Sequence, residues 1–288
     1  MKQNRSLQEL TLKDNFLFSA VMMETENCRK LLEMILQFPI ERVEVSKEKS
    51  IIYHPEYKGV RLDVYAQDTM NTRYNVEMQS VRKPVLGKRA RYYQSQMDME
   101  SLLVGKDYSE LPDSYVIFIC DFDPFGFGKY RYSFENNCTE DARLRLQDGG
   151  HIIFLSTAGK NEDEVPKEMV SFLNYVRADL KESVVRSEDA FVSQLQETVA
   201  RIKASREMGE RFMIFQEMLR DERMEGKAEG KIEGKIDSVL MILHNLGDVP
   251  QELQEVIRNE KSVDKLNEWL ICAAEVESVE HFQKLLEQ

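Results

Sequence analysis

Asp63, Glu77 and Gln79 are the residues of this chain whose types and spacing suit chemistry. Each stands in a segment that alternates apolar and polar residues, the period of a half-buried strand. Over residues 61–67, Leu62, Val64 and Ala66 fall on one side and Asp63 and Tyr65 on the other. Over residues 73–80, Tyr74, Val76 and Met78 oppose Glu77 and Gln79. Glu77 and Gln79 are two apart and share a strand face. The short stretch 68–72 suits a hairpin connection, which sets Asp63 on the neighbouring strand. If the register pairs them, two carboxylates and an amide converge on one patch. Two close carboxylates raise each other's pKa unless a cation neutralises them. A hard divalent cation with oxygen ligands is the natural partner, and Mg²⁺ needs only one or two carboxylates plus water and substrate phosphate. Such an ion lowers the pKa of bound water and polarises a phosphoryl oxygen. The alternative is that the Asp63 side is the solvent face of an antiparallel sheet.

A basic stretch follows at once. Residues 81–91 hold Arg82, Lys83, Lys88, Arg89 and Arg91 with no acid, and Tyr92-Tyr93-Gln94 come next. Basic side chains give sequence-independent affinity for phosphates, and tyrosine stacks on unpaired bases or bonds a phosphate. The alternative is a solvated helix face backed by core tyrosines. The net charge is −12, but acidic and basic residues nearly balance over residues 1–100, so the acidic excess lies in the remainder. A polyanion-binding surface therefore belongs to the first third.

The elements that must position these residues are readable from periodicity. Residues 12–37 have helical spacing, with Thr11 and Asp14 placed as a cap, Pro39 ending the region and residues 24–28 dividing it. Residues 41–54 look extended, and 55–59 form a turn. Residues 85–104 return to helical spacing. Residues 115–120 and 151–156 are short apolar runs of the kind buried on both faces of a sheet. Strands, a crossover helix and a further strand imply an α/β (α+β-like) mixed sheet flanked by helices. Strand signals stop after about residue 160. The division expected is 1–160 for a sheet domain, 161–225 for a long helical segment, 226–236 for a Gly-Glu-Lys repeat as linker or helix, and 237–288 for a small helical region with starts at Pro250, Ser262 and Ser278. The repeat sets Gly226, Gly230 and Gly234 on one helical row, open either to flexibility or to close helix packing.

Composition is that of an ordinary globular chain, with 42% hydrophobic and 31% charged residues. No apolar run approaches the roughly 18 residues of a membrane span, and no apolar leader follows Met1. The cysteines Cys28, Cys120, Cys138 and Cys272 are scattered without a C-x-x-C pair and read as reduced thiols of a cytoplasmic protein.

The segments Gly59-Val60-Arg61-Leu62-Asp63-Val64, Asn75-Val76-Glu77-Met78-Gln79 and Lys88-Arg89-Ala90-Arg91-Tyr92-Tyr93 together resemble the PD-(D/E)XK nuclease superfamily. More narrowly they resemble its Rpn family of recombination-promoting nucleases and putative transposases. Leu12-Lys13-Asp14-Asn15-Phe16-Leu17-Phe18 is similar to the family's opening helix motif, and the repeat at 224–235 to its low-complexity C-terminal region. The resemblance implies an α-β-β-β-α-β restriction-endonuclease-like core and cleavage of DNA phosphodiesters with Mg²⁺ or Mn²⁺. It implies Asp63 and Glu77 as catalytic metal-binding acids, Gln79 as the third catalytic position and Asp14 as an additional acid. Lys88, Arg89, Arg91, Tyr92 and Tyr93 become the DNA-binding motif of the following helix. Two positions depart from the pattern. Gln79 stands where the superfamily has lysine, so Lys88 or Lys58 is the candidate cation, and Ser19 stands where the opening motif commonly has lysine. The partners expected are DNA and, through the helical C-terminal region, a second copy as a homodimer or higher oligomer; no membrane is expected. The competing function is a nuclease fold that binds DNA or oligomerises without cutting.

Overall fold

A computed structural model describes residues 5–46, 49–51 and 60–286. They fall into two compact units, Met1–Gly209 and Glu210–Gln288. The first opens with α1 (Asn15–Met22) and α2 (Thr25–Leu36), separated where the periodicity divides them. The strands β1 (Val43–Ser46), β2 (Lys49–Ile51), β3 (Val60–Leu62), β4 (Val64–Asp68) and β5 (Arg73–Gln79) follow. Then come α3 (Leu86–Ser101), β6 (Ser114–Cys120), β7 (Arg131–Phe134) and β8 (Gly150–Ser156). The expected turn at 55–59 and the end of the extended stretch at 52–54 lie outside the described residues.

The six-stranded sheet has the order β1-β4-β5-β6-β8-β7, and β2 and β3 form a separate two-stranded ribbon. β1, β4 and β5 are antiparallel neighbours. β5, β6 and β8 run parallel, and β7 returns antiparallel on the far edge. The helix α3 crosses over between β5 and β6, as a parallel connection requires. It buries Leu86, Ala90, Tyr93 and Met97 against Val116, Phe118, Cys120 and Phe154. The other strand parity, with Val76, Met78, Ile117, Ile119, Ile153 and Leu155, is buried as well. The central strands are thus covered on both faces, which is why they read as continuous apolar runs.

Two elements differ from the sequence reading. The strand expected over 61–67 is broken at Asp63 into β3 and β4, because the Asp63 N–H leaves the ladder for a side chain of β5. β7 was hidden inside a polar stretch, since an edge strand with a half-exposed pattern carries little hydrophobic signal. The 68–72 connection is a tight turn, with Asp68 Oδ1 accepting the N–H groups of Met70 and Thr72, both at 2.9 Å.

The division expected at residue 160 falls inside the first unit. The helices α4 (Lys167–Arg177) and α5 (Ala190–Ala204) bury Met169, Phe172, Leu173 and Leu195 in it. A buried polar contact ties α5 to α2, where Asn27 Nδ2 donates to Thr198 Oγ1 at 3.2 Å and Gln194 Nε2 donates to Asn27 Oδ1 at 2.6 Å. The helix α6 (Arg206–Leu246) contains the whole Gly-Glu-Lys repeat without interruption. In the second unit its end, with Ile236, Leu240 and Leu243, forms a core with α7 (Gln251–Asn259), α8 (Val263–Glu275) and α9 (Val279–Leu286). Those three helices start beside Pro250, Ser262 and Ser278.

A Cβ added at Gly226, Gly230 or Gly234 would meet nothing within 4 Å. The glycine row therefore makes no close packing contact with the described residues and costs helix stability without a local return. Gly226→Ala, Gly230→Ala and Gly234→Ala are each expected to stabilise α6 by about 1 kcal/mol, read as higher helicity and a later unfolding transition by circular dichroism. A destabilised variant would show that the row meets a partner surface.

Candidate active site

The register Val64 to Val76 sets Asp63 opposite Glu77 across the break between β3 and β4. The two acids exchange contacts through the backbone. The Asp63 N–H donates to Glu77 Oε1 at 3.2 Å, and the Met78 N–H donates to Asp63 Oδ2 at 3.1 Å. Asn15, the first residue of α1, donates from Nδ2 to the same Asp63 oxygen at 3.0 Å. The tightest ion pair of the patch comes from α3. Arg89 Nη2 donates to Glu77 Oε2 at 2.8 Å and Arg89 Nη1 to Gln79 Oε1 at 3.1 Å, so one planar guanidinium spans two side chains of β5. Its Nε donates to the Tyr93 hydroxyl oxygen at 2.6 Å, and its plane lies 4.9 Å from the Tyr93 ring and 5.7 Å from the Phe118 ring. Gln79 Nε2 donates to the Met78 carbonyl at 2.9 Å, which fixes the amide with its oxygen toward Arg89.

Glu77 is fully buried, and Gln79 is 5% exposed. Burial pushes the Glu77 carboxyl above its ordinary range, the neighbouring Asp63 raises it further, and Arg89 only partly opposes this. Asp63 is pushed up by burial too, against the Met78 N–H, Asn15 and Arg89. Tyr93 is raised to about 12, by burial first and by Glu77 second. Asn75 lies two residues before Glu77 on the same strand face, wholly buried, and its amide acts to lower the Glu77 carboxyl.

These residues fit a hard divalent cation. The donor set is all oxygen, and two carboxylates both raised by burial, Glu77 by the neighbouring Asp63 as well, are short of positive charge. Asn75 adds a buried amide beside them. Among the described residues no group of three or more His, Cys, Asp or Glu side chains gathers, so water and substrate oxygens must complete the shell.

The remaining sequence-selected residues separate sharply. Asp14 is not at the patch. It precedes α1 with its carboxylate held by Arg5 Nη1 at 2.7 Å and by the Thr11 N–H at 2.8 Å, and its neighbour Asn15 reaches Asp63 instead. Arg89 and Tyr93, expected to face DNA, turn inward, because position 93 belongs to the stripe of α3 that buries Leu86, Ala90 and Met97, and position 89 borders it. Tyr92 is half-buried against the same core. Lys83, Lys88 and Arg91 are exposed. Lys58 lies outside the described residues. Sequence reasoning missed Asn15, although it sits inside the opening motif; the acid beside it drew the attention.

The raised Glu77 pKa fixes the sign of a pH effect. The folded state holds that proton more tightly than the unfolded state, so the group favours folding at low pH and loses this contribution as pH rises through its folded pKa. With chelator present, the melting temperature of the wild type is expected to fall relative to Glu77→Gln between about pH 5 and about pH 9. A gap that stays constant over that range would contradict the burial of the pair.

No curated protein and no solved structure matches the chain. A family model does: residues 15–229 match the PD-(D/E)XK nuclease family transposases. The matched span begins at Asn15 and contains the acid pair, Gln79 and Arg89, and nucleases of this kind generally use divalent metals. With the mixed sheet, the crossover helix and two acids meeting across neighbouring strands, the chain belongs to the PD-(D/E)XK nuclease family transposases.

Proposed function

We propose that this protein is a DNA endonuclease that uses Mg²⁺ or Mn²⁺ and serves recombination or transposition. The observation that carries the reading is the convergence of Asp63 and Glu77, backed by the Arg89 fork on Glu77 and Gln79. Asp63 and Glu77 would hold the ion, which when bound supplies an acidified water and polarises a phosphoryl oxygen. Glu77 is oriented from both sides, by the Asp63 N–H and by Arg89. Gln79 carries no charge and serves by position, its amide fixed between Met78 and Arg89. Arg89 supplies the positive charge that the lysine of the wider superfamily would bring, delivered from α3 instead of β5. Tyr93 keeps the guanidinium in that pose. Lys83, Lys88 and Arg91 lie on the outer side and suit phosphate contacts that track the backbone.

Plasmid nicking tests the reading. Asp63→Ala is expected to abolish nicking in Mg²⁺ and in Mn²⁺ with the fold retained. Gln79→Ala and Arg89→Ala should each lose on the order of 10²–10⁴-fold, the range of a single catalytic group. Lys88→Gln and Arg91→Gln should still nick, with DNA binding weakened uniformly across sequences and the salt slope reduced by about one per lost contact. Wild-type protein that binds plasmid but never nicks it would favour a binding role for the same fold.

We also propose that the protein self-associates through its helical C-terminal part and acts in the cytoplasm. Exposed Met213, Ile214, Met218 and Leu219 on α6 support the first, and no described helix is long and apolar enough to cross a membrane. Light scattering of the full chain is expected to give a dimer or larger, and Met218→Lys to shift it toward monomer. A monomeric wild type would reject self-association.

A further inference from the structure

The loop that leaves β6 exposes one aromatic ring that the fold itself does not use. Its sequence is Asp121-Phe122-Asp123-Pro124-Phe125-Gly126-Phe127-Gly128. Phe125 serves the fold: its ring meets Tyr132 at 4.9 Å and Phe154 edge-on at 5.1 Å. Phe127, two residues later, is 79% exposed.

The backbone beneath it is fixed. The Asp123 carboxylate accepts the Phe125 N–H at 3.0 Å, the Gly128 N–H at 2.7 Å and the Tyr132 hydroxyl at 2.8 Å. The Tyr132 oxygen in turn accepts the Lys129 N–H at 3.1 Å. Gly126 and Gly128 take φ of +82° and +68°, which side-chain-bearing residues rarely adopt, and so flank Phe127 with two forced turns. The Lys160 N–H closes the far side on the Gly128 carbonyl at 2.8 Å. A ring held out into water on a braced loop is pre-organised for a partner, since little conformational freedom remains to be lost on contact.

Its place selects the partner. The loop begins directly after Cys120, which pairs with Gln79 in the β5–β6 ladder, and the Asp121 N–H donates to the Gln79 carbonyl at 2.9 Å. Arg82, from the basic stretch before α3, donates from Nη2 to the Asp123 carbonyl at 2.5 Å and lies over the Phe122 ring at 5.2 Å. The ring thus stands at the same end of the sheet as the acid pair, on a loop bound to the segment that carries Lys83. An exposed aromatic face on a loop tied by Arg82 to a basic segment is an arrangement that takes an unstacked base while the backbone is held electrostatically.

We infer that Phe127 is a base-stacking residue, and that the DNA this site accepts presents an unpaired or displaced base there. The inference rests on the nuclease reading of the site and names its substrate class. Single-stranded DNA and duplex carrying a mismatch or bulge are then preferred over perfectly paired duplex.

Binding of fluorescein-labelled oligonucleotides, measured by anisotropy with chelator present so that no cleavage occurs, tests it on the full-length protein. Phe127→Ala is expected to weaken binding of a single-stranded oligonucleotide by about five- to a hundredfold, and to weaken paired duplex less. Phe127→Trp should retain wild-type affinity, because it keeps a stacking face. Equal single-strand affinity for wild type and Phe127→Ala overturns the inference, as does a loss that Phe127→Trp does not restore. If the wild type nicks plasmid while Phe127→Ala binds unchanged, the inference fails alone. If the wild type neither binds any oligonucleotide nor nicks, the nuclease reading fails and the inference with it.

Discussion

Two carboxylates held against each other inside a sheet set the terms for everything around them. Asp63 and Glu77 sit where burial opposes ionisation, and the charge of Asp63 opposes that of Glu77 further. A fold keeps such a pair only when neighbouring groups fix it and some positive charge is near. Here the fixing is done by backbone N–H groups, one at the break between β3 and β4 and one on β5, and by the amide of Asn15. Part of the charge comes from Arg89. The break between β3 and β4 is the structural consequence: the Asp63 N–H cannot serve both the ladder and Glu77 Oε1, and the side chain wins.

The same constraint divides α3 into two functions. Its inner stripe packs Leu86, Ala90, Tyr93 and Met97 on the sheet. Arg89 borders that stripe, so its aliphatic stem stays with the core while its fork reaches Glu77 and Gln79. Lys88 and Arg91 point to solvent, where their charges are screened but available to phosphate. One helix thus supports the acid pair from within and presents cations outward. Arg89 and Tyr93 act as a unit, because the Tyr93 hydroxyl takes the one guanidinium N–H that would otherwise leave the fork free to rotate.

At the end of the sheet where Gln79 lies, the loop after β6 adds a second rigid feature. Asp123 plays there the part that Asp68 plays in the turn between β4 and β5: a short carboxylate gathers backbone N–H groups that no strand or helix satisfies. Order in these loops comes from side chain to backbone bonds. The end of the sheet that carries the acid pair is therefore built from parts that need little rearrangement to meet a ligand.

The sequence by itself determined the helices, the central strands of a mixed sheet and the acid pair, but not the edge strand β7 or the break at Asp63. Strand alternation, the basic stretch and the resemblance carried by Arg61-Leu62-Asp63 and Glu77-x-Gln79 all depend on local spacing, which a chain carries in its residue order. The helix starts at Pro250, Ser262 and Ser278 were legible for the same reason. Tertiary structure alone decided which of two neighbouring residues, Asp14 or Asn15, reaches Asp63, because a helix entry rotated by one residue swings side chains by about 100°. It also decided that Arg89 and Tyr93 face inward while Lys88 and Arg91 face out, since a basic run has no intrinsic inside until a sheet packs against it. The division at 160 gave way for a related reason: α4 and α5 carry apolar faces whose burial partners, α1 and α2, lie more than a hundred residues away in sequence. Periodicity reveals that a face must be buried, and only the folded chain shows against what.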